Sequence, residues 1–311
     1  MRNSFVQQML IEMERNPSIF LLTGDVGFNA LEQIEQRFPD RFINVGIAEA
    51  TLVGLAAGLA LTGKKAVCYA IASFMSMRPY EQIRDDVCYH NLDVTLVGVG
   101  GGFNYGYQGV THHTIEDIAI LSALPNMVVV NPAYDWEAKE ATKALMRSKG
   151  PAYLRLGKNT DYPWQRSTNQ FLLGSGIVMR EGRDIVLIST GNMLDTALMS
   201  AEKVEIETGL SVRVISMPTV KPLGVESIME SLSRGARGIF TLEEHGKFGG
   251  MGSSIATTLA EQSLIPDLFR MYTLPDRFVK SVGSREFLLA EVGLDSESLA
   301  KDMITYIQKK I

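Results

Sequence analysis

Two places in this sequence, a glutamate and a pair of histidines, carry side chains that could transfer protons. Glu49 opens a mostly apolar segment, where burial would favour the neutral form of its carboxyl group and let it share a proton. An ordinary glutamate in a first helical turn, complementing the helix dipole, is the alternative. His112 and His113 are adjacent, and an imidazole ordinarily has a pKa of about 6.5. A surface loop is the alternative for such a pair, and a metal site would need further ligands.

Short apolar strands alternate with longer helical patterns, which predicts a parallel α/β architecture that would position these residues. In the first half the predicted strands cover residues 19–23, 42–45, 66–69, 94–99, 127–130 and 152–156. Predicted helices lie between them at 31–37, 49–61, 77–88, 116–123 and 136–148. In the second half the strands are 185–189, 211–216 and 238–242, with helices at 194–208, 225–231 and 253–261.

The alternation of strands and helices is interrupted once, and this interruption divides the chain. The stretch NTDYPWQRSTNQ (159–170) is polar and rich in turn-forming residues, and the boundary is predicted between about 159 and 178. We therefore expect a first domain over 1–165, a linker over 166–178 and a second domain over 179–311. A length of 311 residues is sufficient for two domains.

Composition excludes several classes of protein. The net charge of −5 argues against nonspecific binding of nucleic acid, which requires a basic surface. The N-terminus lacks the apolar run of a signal peptide, and residues 50–62 are too few to cross a bilayer. Cys68 and Cys88 form no CxxC motif, so we expect two reduced, buried thiols in a cytoplasmic protein without membrane partners. The glycine-rich segments 98–106 and 245–254 complete neither GxGxxG nor GK[ST], which argues against a dinucleotide fold.

Six segments in a fixed order carry a resemblance to a known family. They read GIAEA (46–50), YAIASFMSMRPYEQI (69–83), GVTHHTIEDIAILSALPNMVVVNPA (109–133), STGNM (189–193), VRVISMPTVKPL (212–223) and TLEEHGKFGGMGSS (241–254). The first three resemble the pyrimidine-binding domain of transketolases, and the last three resemble the C-terminal domain of that family. The resemblance implies an α/β fold with a thiamine-diphosphate-binding domain of the pyrimidine type and a transketolase C-terminal-like domain.

The resemblance also implies that the N-terminal domain of the family belongs to a separate chain. Full-length transketolases carry an N-terminal domain in which a GDG motif, followed by an asparagine, holds the cofactor's diphosphate and its Mg²⁺. Here Gly24 and Asp25 are followed by Val26, without that context. Mg²⁺ on a diphosphate needs oxygen ligands, which would have to come from a separate N-terminal subunit. We therefore expect this chain to provide no metal ligands and to assemble with that subunit as an α₂β₂ heterotetramer.

The cofactor side of the site follows from the same resemblance. Glu49 would hydrogen-bond N1′ of the aminopyrimidine and favour the imino tautomer that removes the thiazolium C2 proton. Phe74 would stack on the pyrimidine ring, and Met77 and Tyr80 would complete its wall. Plain core packing of these three side chains is the alternative. Ala50 departs from the histidine or glutamine found at that position in relatives.

The substrate side is implied in the same way. His112 matches the histidine that orients the substrate and assists proton transfer. Arg155 and Lys158 match the strand end that binds a sugar phosphate, although lysine replaces the usual arginine. Asn29 and Arg2 align less securely with other positions on the phosphate side.

Two departures concern the substrate itself. Gln108 replaces an aspartate that recognises a sugar hydroxyl in the family, and Gly100 replaces a phosphate-binding histidine. Either the substrate is an altered sugar, or these are ordinary variations among split transketolases. His113 receives no role, and His245 is expected to be structural.

The resemblance implies transfer of a two-carbon ketol unit from a ketose or its phosphate to an aldose. One alternative is a β subunit of the first component of a 2-oxo-acid dehydrogenase. The other is a noncatalytic assembly subunit of the same fold.

Overall fold

The fold is mixed α/β, built on two predominantly parallel sheets, as the sequence predicts. The computed structural model describes residues 1–157, 171–264 and 266–310. No helix within these ranges is both long enough and apolar enough to cross a membrane.

The first sheet contains seven of the described strands and lies mainly in the first half of the chain. They are Ile19–Thr23 (β1), Phe42–Asn44 (β2), Lys65–Ile71 (β3), Val94–Val99 (β4), Val128–Val130 (β5), Ala152–Leu156 (β6) and Thr219–Lys221 (β10). Their order across the sheet is β10-β5-β6-β4-β3-β1-β2, with only β10 antiparallel to its neighbour. Strands β4 and β6 are buried along their whole length, which explains their mainly apolar sequences, with the buried Arg155 as the charged exception in β6.

The second sheet contains five of the described strands. They are Ile177–Arg180 (β7), Ile185–Ser189 (β8), Val212–Ser216 (β9), Gly238–Gly246 (β11) and Leu268–Leu274 (β12). Their order is β12-β11-β8-β9-β7, and the edge strand β7 runs antiparallel to β9.

Helices cover both sheets. In the first half they are Arg2–Arg15 (α1), Glu32–Arg37 (α2), Glu49–Leu61 (α3), Ala72–Met77 (α4), Tyr80–Gln82 (α5), Asp117–Ser122 (α6) and Asp135–Arg147 (α7). In the second half they are Leu194–Thr208 (α8), Glu226–Ser233 (α9), Met251–Glu261 (α10), Arg285–Glu291 (α11) and Ser296–Lys310 (α12). Helix α5 continues into the π-helical turn Ile83–Cys88, where the sequence predicts one regular helix over 77–88.

Strand β10 connects the two halves of the molecule. It follows β9 in the chain but pairs with β5 in the first sheet, where Asn131 N–H also donates to the carbonyl of Pro218 at 2.7 Å. Three residues of the predicted second domain therefore complete the sheet of the first. The domain limits stay a prediction, and residues 166–170 of the predicted linker lie outside the described residues.

Buried polar contacts join the halves further. The carboxylate of Glu137, on α7, accepts from the Ser216 hydroxyl at 2.9 Å and from Ala133 N–H at 2.7 Å. His245, at the end of β11, is fully buried, and its Nε2 accepts from Ala119 N–H at 3.2 Å. These contacts fit the structural role expected for His245. Cys68 and Cys88 are buried free thiols, also as expected.

Candidate active site

The candidate site lies where several parallel strands of the first sheet end. Glu49 follows β2, Phe74 follows β3, and His112 belongs to the segment after β4. These strands point in the same direction, so the segments that follow them meet at one edge of the sheet. Ligands of open α/β sheets bind at this edge. The structure thus brings together three of the residues that the sequence singles out.

A polar turn positions Glu49. The side-chain oxygen of Asn44, at the end of β2, accepts hydrogen bonds from Gly46 N–H and Asp25 N–H, each at 3.0 Å. Gly46 has φ of +73°, a conformation that suits glycine. The chain then enters α3 with Glu49 in its first turn, and the side chain is only 4% exposed. A nearly buried carboxylate requires hydrogen-bond partners.

Arg78 provides those partners. Its guanidinium donates to both carboxylate oxygens of Glu49, at 2.8 and 2.9 Å, while its own side chain is 46% exposed. Arg78 comes four residues after Phe74, one helical turn along the same face. The guanidinium carbon consequently lies 4.0 Å from the centre of the Phe74 ring.

His112 completes the cluster from the other side. Its ring packs edge-on against Phe74, with 5.1 Å between the ring centres, and lies 6.1 Å from the ring of Tyr105. The Thr111 hydroxyl is 3.0 Å from His112 Nδ1. Burial, followed by the positive charge of Arg78, lowers the pKa of His112 below its usual range. The imidazole is thereby biased toward its neutral form, which can accept a proton.

The segment that carries His112 is held by the second domain. Residues Gly102 and Thr114 form a two-way backbone bridge that closes the loop. The carboxylate of Glu244, from β11, accepts from Phe103 N–H at 2.7 Å and from Arg285 at 2.8 and 2.9 Å. Glu244 therefore fixes the position of a loop that contributes to the cluster around Phe74.

His113 lies inside this loop rather than at its surface. It is 5% exposed and packs edge-on against Phe103, with 4.9 Å between the ring centres. Burial lowers the pKa of His113. Its position indicates a packing role, for which the sequence offered no assignment.

Met77 and Tyr80 lie on the same segment as Phe74 but in different surroundings. Met77 is 43% exposed. The hydroxyl of Tyr80 donates to the carbonyl of Ile120 at 2.8 Å, which orients it toward helix α6. Burial raises the pKa of Tyr80. Their expected place in the wall of a cofactor site stays a prediction.

The substrate-side candidates are more dispersed. Gln108 is exposed in a helical turn of the loop that carries His112. Asn29 is exposed after β1, with φ of +59°. Arg2 is half-buried in α1, and its positive charge opposes the rise that burial causes in the pKa of Tyr69 and Tyr105. Lys158 lies outside the described residues.

Arg155 does not fit the expectation that it binds a sugar phosphate. Its side chain is 4% exposed, and its Nε donates to Asp117 at 2.8 Å. The same guanidinium donates to the carbonyls of Thr114 and Glu244 at 2.7 and 3.2 Å. The hydroxyl of Tyr153 donates to the same Asp117 oxygen. Arg155 thus belongs to a buried ion pair within the first domain, and its guanidinium also contacts the second domain through the carbonyl of Glu244.

Two residues of the cluster were missed at the level of sequence. Arg78 is the only charged residue in the stretch 70–80, and its spacing of four from Phe74 is the signal that could have identified it. No sequence pattern indicates the role of Glu244, because its contact partner Phe103 lies 141 positions away in the chain.

The cluster is suited to holding a flat, nitrogen-rich ring. A planar guanidinium already lies against the face of Phe74 and donates to both oxygens of Glu49. An aminopyrimidine also has a flat face, and its ring nitrogen can share a proton with a carboxyl group, so Phe74 and Glu49 fit it. In the described ranges, no three His, Cys, Asp or Glu side chains are grouped closely enough to hold a metal ion.

Comparison with known proteins identifies two family domains in the chain. Residues 1–161 match the family "Transketolase, pyrimidine binding domain", and residues 174–299 match "Transketolase, C-terminal domain". A protein of Methanocaldococcus jannaschii, described as a transketolase C-terminal section, is 33% identical over 100% of this chain and 97% of its own length. One of the subunits of an apulose-4-phosphate transketolase from Phocaeicola vulgatus is 33% identical over 99% of this chain and 97% of its own.

One solved structure extends the likeness to the fold. A split-gene transketolase in an inactive β4 tetramer is 32% identical and superimposes with a TM-score of 0.87. The match covers 99% of this chain and 97% of that one. The similarity therefore extends over both halves of the chain.

Proposed function

This chain belongs to the transketolase family, and from that premise we propose that it is the C-terminal subunit of a two-subunit transketolase. It would transfer a two-carbon ketol unit from a ketose or ketose-phosphate donor to an aldose acceptor. The observation that carries the proposal is the cluster of Glu49, Phe74 and His112 at one edge of the sheet. Transketolase-family homologues depend on thiamine diphosphate, which supplies, when bound, a carbanion centre that accepts the two-carbon unit.

Glu49 and Phe74 would hold the aminopyrimidine. The carboxyl of Glu49 is nearly buried, so a hydrogen bond to the ring nitrogen N1′ would form without competition from water. The ring of Phe74 offers a face for stacking, worth about 0.5–1.5 kcal/mol beyond the area that it buries. Met77 and Tyr80, on the next turns, would limit the other sides of the ring.

His112 would act toward the substrate. Its lowered pKa keeps the ring neutral near pH 7, so it can accept a proton from a sugar hydroxyl and return it. Gln108 is exposed on the same loop and would contact the sugar, with Asn29 and Lys158 as further candidates. The position of Gln108, where relatives have an aspartate, leaves the particular sugar open.

A separate N-terminal subunit would supply the residues that bind the diphosphate and Mg²⁺. Two observations support this. Relatives described as a C-terminal section and as one subunit of a transketolase match nearly the full length of this chain. The solved split-gene relative is an inactive tetramer of β chains. The assembly proposed for this protein is an α₂β₂ heterotetramer.

The test is an assay of the purified chain with thiamine diphosphate and Mg²⁺, with and without its N-terminal partner. We expect consumption of a ketose donor only when both chains are present, with no release of carbon dioxide. Carbon dioxide released from a 2-oxo acid would instead identify the β subunit of a dehydrogenase component. No turnover in any combination, despite stable assembly, would identify a noncatalytic subunit.

A further inference from the structure

Arg78 occupies the position that the proposed function assigns to part of the cofactor. Its guanidinium lies 4.0 Å from the centre of the Phe74 ring. The same group donates to both oxygens of Glu49, at 2.8 and 2.9 Å. Phe74 and Glu49 are the two residues to which an aminopyrimidine would bind, one by stacking and the other by a hydrogen bond.

The two groups would occupy the same place on Phe74 and Glu49, so their binding would be mutually exclusive. A guanidinium is planar, stacks on aromatic faces and presents N–H donors in a fixed fork. An aminopyrimidine that stacks on the same face of Phe74 and reaches the same carboxylate would overlap with it. On the premise of the proposed function, we infer that Arg78 is a further residue of the cofactor site, holding Glu49 and Phe74 until the arriving ring displaces its guanidinium.

Displacement is physically accessible because the two partners differ in exposure. The side chain of Arg78 is 46% exposed, so its guanidinium can move into water by rotation of the side chain alone. Glu49 is 4% exposed and would be left without a partner. A buried carboxylate is costly when it has no hydrogen bond, so the guanidinium leaves when the ring, with one proton taken up from water and shared between Glu49 and N1′, replaces that bond. Pro79 follows directly and limits changes of the backbone, which favours movement of the side chain.

The pKa of His112 indicates whether the guanidinium of Arg78 is in contact with Phe74 and Glu49. The positive charge of Arg78 contributes to the lowered pKa of His112, after burial. Once the guanidinium has moved away, that contribution is lost and the pKa rises. The shift can be followed on the chain itself, without measuring activity.

The binding test compares Arg78→Met with a matched control. Methionine keeps the apolar stem and removes the guanidinium. Arg84→Met removes a nearby, 64% exposed arginine whose ion pair is with Asp85. Thiamine diphosphate with Mg²⁺ is titrated by calorimetry into the assembly with the partner chain. We expect Arg78→Met to bind roughly threefold to tenfold tighter than the parent, since no half-exposed ion pair has to be broken. Arg84→Met is expected to bind like the parent.

Other outcomes separate this inference from the proposed function. If Arg78→Met binds as tightly as the parent or more weakly, the guanidinium is not displaced and the inference fails, while the proposed function stands. If neither the parent nor the variants bind thiamine diphosphate with the partner present, both fail.

A second variant and a second measurement guard against misfolding of Arg78→Met. Arg78→Lys keeps the charge but loses the planar group that lies over Phe74, so we expect a smaller gain in affinity. Titration of His112 by NMR should give a higher pKa in Arg78→Met and an unchanged pKa in Arg84→Met. An unchanged pKa in both would show that the guanidinium does not lie beside His112, and would overturn the inference.

Discussion

The ring of Tyr105 lies directly against the α-carbon of Gly100, so closely that a Cβ at Gly100 would overlap the ring. Gly100 also has φ of +85°, in the left-handed region. The space that a side chain at position 100 would need is thus filled by a neighbouring aromatic ring. Tyr105 in turn lies beside His112, 6.1 Å away between ring centres. Glycine at this position is therefore required by the local packing as well as by the backbone.

Gly100→Ala should lower the free energy of unfolding by about 2–4 kcal/mol, combining backbone strain with displacement of the Tyr105 ring. Urea denaturation measures the change. Gly63→Ala is the matched control, because Gly63 has φ of +82° and open space around a Cβ. It should cost only about 1 kcal/mol. Equal losses in the two variants would contradict the packing of Tyr105 on Gly100.

Glu49→Gln should reduce kcat of the assembled enzyme by about 10²–10⁴-fold, because glutamine cannot share a proton with the cofactor ring. Steady-state kinetics with the partner chain measure the loss, and size-exclusion chromatography should show unchanged assembly. Glu81→Gln, which alters an exposed glutamate of the next helical segment, serves as the control. A kcat for Glu49→Gln within a few-fold of the parent would refute the proposed role.

Arg155→Met should destabilise the protein by about 3–5 kcal/mol, because it leaves the buried carboxylate of Asp117 without its ion pair. The double variant with Asp117→Asn should lose less than the sum of the single changes. Thermal unfolding measures both. Arg183→Met, at an exposed position, should stay within about 0.5 kcal/mol. A raised KM for a phosphorylated sugar with unchanged stability would instead support phosphate binding by Arg155.

Glu137 should make stability depend on pH. Burial raises the pKa of this carboxyl from 4.5 to about 7. Between these values the folded state binds more protons than the unfolded state, so stability is fully present below about pH 4.5 and falls as pH rises through about 7. The total loss is at most about 3 kcal/mol.

The variant Glu137→Gln should remove that decline, because the neutral amide does not titrate. Urea denaturation between pH 5 and about 8 compares the slopes of stability against pH. Glu140→Gln, on the exposed part of the same helix, should keep the parent slope. A parent-like slope in Glu137→Gln would mean that another group is responsible.

Sequence patterns predicted the strands of the sheet centres well. Ile19–Thr23, Val94–Val99, Ala152–Leu156 and Ile185–Ser189 have the expected bounds, because parallel strands covered on both faces are continuous apolar runs. The strands missed were Ile177–Arg180, Thr219–Lys221 and Leu268–Leu274. All three lie at sheet edges. Partial exposure weakens the apolar pattern of Ile177–Arg180 and Leu268–Leu274, and Thr219–Lys221 has only three residues.

The candidate site was predicted in part for a similar reason. Glu49, Phe74 and His112 each follow a strand in a recognisable motif, so their meeting at one edge follows from the topology. Whether a cation faces the site or the interior depends on packing between distant segments. Arg155 and Arg78 carry the same charge in the sequence, yet one is 4% exposed and the other 46% exposed.

Because strand β10 comes late in the chain, the first sheet is completed late during synthesis. During synthesis the first six strands of the larger sheet emerge before Thr219–Lys221, so β5 has an unpaired edge until about two-thirds of the chain is complete. An open edge of this kind can pair with other chains. A fragment cut within the linker would keep that edge permanently and would be prone to self-association, although it contains Glu49, Phe74 and His112. We therefore expect the half of the chain that carries Glu49, Phe74 and His112 to need the other half to cover this edge.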